Sequence, residues 1–382
     1  MPPWAEGIPA SRTIRFPCLS ASHAPAILFI LSTIDRVCRQ GTGGEITISG
    51  VKPSEKSENE LIAWIRSQCS AGGTEVPIGI GDDMAMFRGG SGGILVTSDM
   101  LMDGVDFDAT IHAPDRIGRK ALAVSLSDCA AMAVRPRWAM VSVALPNAWT
   151  MTQARELYEG IDRLARQFEV TLIGGDTNSW DKPLVIDVTV IAEPWGAQGS
   201  ATASRIEPVR RSGMLPGDLL VVSGKLGGSI MGHHLDFEPR VREAKLLAEK
   251  LGPALHAMMD LSDGFSTDAH RLADASRCGI VCLPQVVESL ASEAAIELAN
   301  KDGRTVLDHV LNDGEDFELL CAVDPAAWSA WSESVDHAEA GANAGFRMIG
   351  SAESGCGVSF LNSDGSRTPI EPRGWQHFTD QS

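Results

Sequence analysis

Beyond about residue 57, short apolar runs alternate with longer stretches in which apolar positions recur every three or four residues, the period of a helix with one buried face. Ser57-Glu58-Asn59-Glu60 has capping-box spacing and predicts a helix through about Gln68. Residues 94–101 predict a buried strand, and Pro114 opens a helix that runs on through the apolar stretch 121–134. A strand follows at 138–145, and Thr150 with Gln153 forms a second capping box, for a helix ending near Phe168. Residues 171–174 and 184–192 predict strands joined by a turn. After a looser segment containing Gly, Ser and Pro, 195–211, the alternation resumes. It predicts strands at 218–223, 257–261, 317–323 and 358–361, and helices at 239–251, 266–275 and 288–300.

This order predicts an α/β or α+β fold in two domains, 46–195 and 205–382, behind an N-terminal extension, 1–45, expected to be disordered. The 382 residues suffice for two domains of roughly 100–200 residues each. An apolar run at 24–31, preceded by Arg12 and Arg15, resembles a leader but lacks a small-residue cleavage site.

The formal net charge of −18 argues against nucleic acid or an acidic membrane as partner, because counterion release needs a basic face. No apolar stretch approaches the roughly 20 residues of a membrane span. The eight cysteines form no CxxC pair, and the close pair Cys278 and Cys282 has no second pair to complete a zinc site. Several lie in apolar runs, as small hydrophobes do in a reducing cytoplasm.

Acidic residues stand where a solvated surface does not account for them. Asp82 and Asp83 sit in a glycine turn, Asp99 closes an apolar run, and Asp128 lies inside a helix apolar on almost every side. Asp176 follows Leu172-Ile173-Gly174-Gly175, Asp260 and Asp263 follow Ala257-Met258-Met259, and Glu315 with Asp316 precedes a strand. Any one of these suits an ordinary cap or turn. Together they terminate or interrupt apolar elements, with few Lys or Arg beside them in sequence. Carboxylates converging without cations fit a hard divalent metal, and Mg²⁺ is the usual companion of substrate phosphates. There is no GxxxxGK[ST], no protein-kinase motif set, no GxSxG and no HExxH. The glycine-rich stretch Gly224-Lys225-Leu226-Gly227-Gly228-Ser229 reads equally as a phosphate loop or a plain turn, and His233 and His234 read as surface or supporting residues.

Seven motifs in order carry a family resemblance: Gly79-Ile80-Gly81-Asp82-Asp83, Thr97-Ser98-Asp99-Met100-Leu101, Lys120 through Asp128, Leu172 through Thr177, Arg211-Ser212-Gly213 with Pro216-Gly217-Asp218, Asp260-Leu261-Ser262-Asp263-Gly264, and Gly314 through Leu319. The chain resembles the thiamine-monophosphate kinases of the aminoimidazole-ribotide synthetase-like superfamily. The resemblance implies the two-domain fold of that superfamily, with mixed sheets flanked by helices. It implies ATP- and Mg²⁺-dependent phosphorylation of thiamine monophosphate to thiamine diphosphate, in a cytoplasmic homodimer. Metal binding would fall to Asp83, Thr97, Ser98, Asp99, Asp128, Asp176, Asp260 and Asp263. ATP contacts would come from Gly175, Asp176, Arg211 and Ser262, and acceptor contacts from Asp106, Glu315 and Trp375. Asp128, Asp263 and Arg211 would act in catalysis.

Three positions depart from the family pattern. Asp106 stands where the family usually carries His, Gly228 where it has Asp, and Asn312-Asp313 where it has small residues. They keep open a relative acting on another small substrate, such as an aminoimidazole-ribotide synthetase, or a nucleotide-binding paralogue without turnover. Selenophosphate synthesis is disfavoured by the lack of a reactive Cys before Gly79, and the hydrogenase-maturation relative by the lack of a terminal Cys.

Overall fold

The computed structural model describes residues 76–78, 82–88, 93–196, 206–334 and 345–375. The expected extension 1–45, the helix over 57–68 and Gly79 to Gly81 lie outside the described residues.

The first half comprises β1 (Ala85–Phe87), β2 (Ile94–Met102), α1 (Pro114–Ala131), β3 (Val134–Pro146), α2 (Met151–Gln167), β4 (Thr171–Trp180) and β5 (Val185–Pro194). Its strands form one sheet in the order β1-β2-β5-β3-β4. All pairings are antiparallel except β3 with β4, which run parallel because α2 carries the chain back between them. The capping box at Thr150 and Gln153 is present in both directions and starts α2 at Met151.

The second half adds β6 (Leu219–Val222), α3 (His233–Asp236), α4 (Val241–Leu251), β7 (Leu255–Asp260), α5 (Phe265–Ser276), β8 (Gly279–Cys282), α6 (Pro284–Glu288), α7 (Glu293–Asp302), α8 (Val306–Asn312), β9 (Leu319–Val323), α9 (Pro325–Ser334), β10 (Arg347–Glu353), β11 (Val358–Leu361) and β12 (Arg367–Pro369). Its mixed seven-stranded sheet has the order β12-β11-β8-β10-β6-β9-β7. The α/β class with mixed sheets and flanking helices is thus the one expected. Among the described residues no helix is long and apolar enough to cross a membrane.

α1 explains how the site is held. It packs on β2 and β5 of the first sheet and on α4 and β7 of the second half. A helix touched on opposite sides must be apolar almost all round, and Ile117, Ala121, Leu122, Leu126, Cys129 and Ala130 are fully buried. One core cluster joins α1 and the first sheet to one face of the second, including Leu319, Cys321 and Val323 of β9. The alternate residues Leu320 and Ala322 enter a second cluster, with Phe265 and Leu272 of α5, on the other face.

Several expectations need correction. β2 is half-buried, not buried, because an antiparallel sheet with helices on one side leaves the other open. α1 stops at Ala131, where Ala133 turns left-handed (φ 51°) and Val134 begins β3. The helix expected over 288–300 is two, α6 and α7, separated where Ser292 caps α7 by accepting the Ala295 N–H. β4 continues to Trp180, well past Gly174. The helices α8 and α9 and the strands β8 and β10 carry no separate sequence expectation.

Candidate active site

Strand alternation decides which residues of β2 reach α1. Thr97 and Asp99 face it: Thr97 Oγ1 donates to Asp128, and Ser125 Oγ donates to Asp99 at 2.7 Å. Ser98 points to the opposite face, where it meets Asp187 and Thr189 at 3.2 and 2.8 Å. That separates it from Thr97 and Asp99, because neighbouring residues on a strand cannot share a face, and the register puts Asp176 of β4, reached through Asp187 and Ser142, on the Ser98 side.

Asp128 on α1 meets Asp260 at the end of β7 and Asp83 before β1. One carboxylate oxygen from each lies within 4.8 Å of the other two. Ser127 donates to Asp260 at 2.6 Å. Arg211 forks onto Asp83 through Nε at 2.9 Å and Nη2 at 2.7 Å, and its main-chain N–H reaches Asp82 at 2.8 Å. Few cations stand beside these acids in sequence, and Asp83 takes its partner from far along the chain. Arg271 pairs with both Asp263 and Asp268, and Lys120 with Glu315.

The electrostatics follow from crowding in a dry place. Burial first, and neighbouring carboxylates second, push Asp128 well above the usual carboxylate range. Asp260 rises likewise, through burial and the charge of Asp83. Burial pushes Asp99 up to about 6 and Asp268 to about 7. Burial disfavours the Arg211 charge, but Asp83 outweighs it and holds the guanidinium protonated. Protein groups alone do not compensate this cluster. Two oxygens on opposite sides of one divalent cation lie about 4.2 Å apart for Mg²⁺ and up to about 5 Å for Ca²⁺, so a triad within 4.8 Å can close on one with small side-chain movements.

Beside the triad opens a cavity of about 630 Å³, lined by Asp99, Asp106, Ser262, Asp263, Glu315 and Trp375, with Arg304 and Arg373 and with further polar and apolar side chains. Gly175 and Asp176 lie elsewhere, in a second, mostly apolar cavity of about 440 Å³ between β3, β4 and α2. Tyr158 of α2 also lines it, a residue to which sequence reasoning gave no role. The two places are linked across the first sheet. Asp99 pairs with Val188, Val188 with Val141, and Val141 with Gly175. Three strand spacings set them about 14 Å apart. Gly175 is obligatory there, since a Cβ would meet the Val141 carbonyl oxygen at 1.7 Å.

His234, expected as surface or supporting, is buried, with Nδ1 at 2.9 Å from the Ser229 carbonyl. Lys120, Ser125, Ser127, Asp268 and Arg271 support the acids and were assigned nothing from sequence. The signal for three of them was present: Lys120, Ser125 and Ser127 are polar residues within an otherwise apolar helix.

Comparison with known proteins agrees with this geometry. The family described as AIR synthase related protein, N-terminal domain, matches residues 81–193. A thiamine-monophosphate kinase of Rhodopirellula baltica is 39% identical over 289 residues, covering 73% of this chain and 85% of that protein. The Bacillus subtilis thiamine-monophosphate kinase is 30% identical over 330 residues, 80% and 94% of the two chains. Among solved structures, AaThiL complexed with AMPPCP and TMP superposes with a TM-score of 0.69 at 26% identity, over 86% of this chain and all of that one. A HypE–HypF complex, TM-score 0.63 at 15% identity, shares the fold.

Proposed function

The chain belongs to the thiamine-monophosphate kinase family, and we propose that it transfers the γ-phosphoryl group of ATP to the phosphate of thiamine monophosphate, releasing ADP and thiamine diphosphate. The observation that carries this reading is the convergence of Asp83, Asp128 and Asp260 beside a cavity whose walls carry carboxylates, two arginines and an aromatic ring. An oxygen of the acceptor phosphate attacks the γ-phosphorus as the bond to the ADP oxygen breaks. That nucleophile is already anionic, so no strong base is required, and catalysis is positioning and charge neutralisation.

Asp83, Asp128 and Asp260, with Asp99 and Asp263 nearby, would hold Mg²⁺, which when bound screens the negative charge of the two substrates from each other. Arg211 orients Asp83 and supplies the fixed positive charge at that end. In the same proposal the apolar cavity at Gly175, Asp176 and Tyr158 receives the adenosine, and about 14 Å of sheet separates it from Asp99, a span suited to an extended triphosphate. Ser262 lies near the transferred phosphoryl group. Glu315 and Asp106 face the cationic thiazolium, and Trp375 offers a ring for stacking. Met100, Met102 and Met140 are exposed on the first sheet's open face, which supports pairing of two copies there. Buried free thiols at Cys129, Cys282 and Cys321 suit a cytoplasmic setting.

The departures from the family pattern fit an active enzyme better than a silent one. Gly228 is left-handed (φ 73°), and a Cβ there would meet Ala295 N at 2.5 Å. Its N–H is taken by Asp313, at 2.8 Å, so two of the departing positions are joined to each other by a hydrogen bond.

The decisive experiment incubates the protein with ATP, Mg²⁺ and thiamine monophosphate and follows thiamine diphosphate by chromatography. Product that appears only with the metal supports the reading. Confirmed ATP binding without any product overturns it in favour of a relative acting on another small substrate or a paralogue without turnover.

A further inference from the structure

Lys120 is fully buried in α1 and does not line the large cavity, yet it touches two residues that do. Its Nζ donates to the main-chain carbonyl of Asp106 and to Glu315 Oε1, both at 2.5 Å. These partners come from opposite halves of the fold. Asp106 lies on the loop between β2 and α1, in a turn closed by its N–H to Met102 O at 3.0 Å and by its carboxylate, which accepts the Met102 N–H at 2.6 Å. Glu315 lies between α8 and β9 in a left-handed conformation (φ 61°), with its N–H donated to Ser262 O at 2.7 Å. The Asp106 carboxylate is oriented within its own turn, and the Lys120 cross-tie fixes that turn against Glu315, whose left-handed backbone and carboxylate it holds toward the shared space.

We propose that Lys120 is a positioning residue for the acceptor: its ammonium fixes the Asp106 turn and the Glu315 carboxylate as one anionic wall shaped for a cationic heterocycle. The inference rests on thiamine monophosphate being the acceptor. A carboxylate that is mostly buried and already paired keeps its orientation and charge. The same group left alone turns away or takes a proton, and the wall then loses its selectivity for a cation. Phosphoryl transfer itself takes place at the aspartate triad, so the effect falls on acceptor binding and not on ATP.

The test compares wild type, Lys120→Met, Glu315→Gln and the double variant, measuring KM for thiamine monophosphate and for ATP. Each single change is expected to raise the acceptor KM about tenfold or more, the scale of one charged hydrogen bond, with the ATP KM within about twofold. The double variant should be no worse than Glu315→Gln, because the two residues act as one unit. Lys120→Arg should recover part of the loss by retaining the charge. Equal rises for both substrates, or losses that multiply in the double variant, overturn the proposal. Should Lys120→Met fail to fold, Lys120→Arg and the double variant, which leave no uncompensated charge, decide it: an unchanged acceptor KM in the double variant refutes the role. No turnover of thiamine monophosphate by the wild type would refute the acceptor; normal turnover with an unchanged KM in the folded variants refutes only Lys120.

Discussion

Asp128 concentrates the chemistry of the molecule in one side chain. It takes the Thr97 hydroxyl, faces Asp83 and Asp260, and sits where burial alone disfavours its charge. Asp128→Asn keeps the shape and removes the negative charge a metal needs. Turnover should fall by about a hundredfold or more, while thermal stability holds or rises because a repelling charge is gone. Steady-state rates beside a melting curve check both halves; activity within a few-fold of wild type would exclude a ligand role. Trp375 marks the other end of the cavity. Its truncation to Ala should raise the KM for thiamine monophosphate several-fold more than that for ATP, as expected of a ring that stacks on the acceptor.

Much of this site can be read from the residues themselves, and what cannot has a physical cause. Acids that end apolar runs are visible because few structural roles need a charge there. Ser98 and Thr97 adjoin in the motif yet face opposite sides of the sheet, because a strand presents alternate residues to opposite faces. Arg211 and Lys120 are not legible as partners because pairing is set by the fold, across 128 residues for Arg211 and Asp83 and 195 for Lys120 and Glu315, whereas Arg271 sits one helical turn from Asp268 and was open to local reading.

At the scale of elements, capping chemistry was legible and helix ends less so. Thr150 and Gln153 announce α2 because both partners are local. Three ends instead rely on residues without the freedom of glycine: Ala133 after α1, Glu169 after α2 and Arg277 after α5 are all left-handed. Such a conformation costs a residue with a Cβ about 1 kcal/mol, and only glycine would have signalled it in sequence. Glu169→Gly is therefore expected to stabilise the protein by about 0.5–1 kcal/mol, since the exposed ion pair it gives up with Arg135 contributes little. Chemical denaturation with both variants checks it; a lower midpoint would mean that the pair outweighs the strain. Strands β8 and β10 escaped sequence reading for another reason. Both lie inside the second sheet, where neighbours on each side supply the order and no alternating pattern is needed.

The whole molecule is arranged around charge it does not neutralise by itself. α1 is clamped between the two halves, and Asp83, Asp128 of α1 and Asp260 of β7 meet at that junction, so stability and the proposed metal binding share the same groups. Asp99 and Asp268 titrate at about 6 and about 7 in the folded protein, above the ordinary carboxylate value, and Asp128 and Asp260 are raised as well. A raised value means that the folded state holds protons which the unfolded chain has released. The contribution of these groups is complete below the unfolded carboxylate range and is lost as pH rises through the folded values. The metal-free protein should accordingly lose several degrees of melting temperature between about pH 5 and about pH 8. Mg²⁺ held as proposed by Asp128 and Asp260 would compete with those same protons, so its stabilisation should be small at the acid end and grow as pH rises, flattening or reversing the slope. Melting curves in chelator and in excess Mg²⁺ across this range would test the coupling. Parallel slopes with and without the metal would mean that the ion binds away from the buried carboxylates.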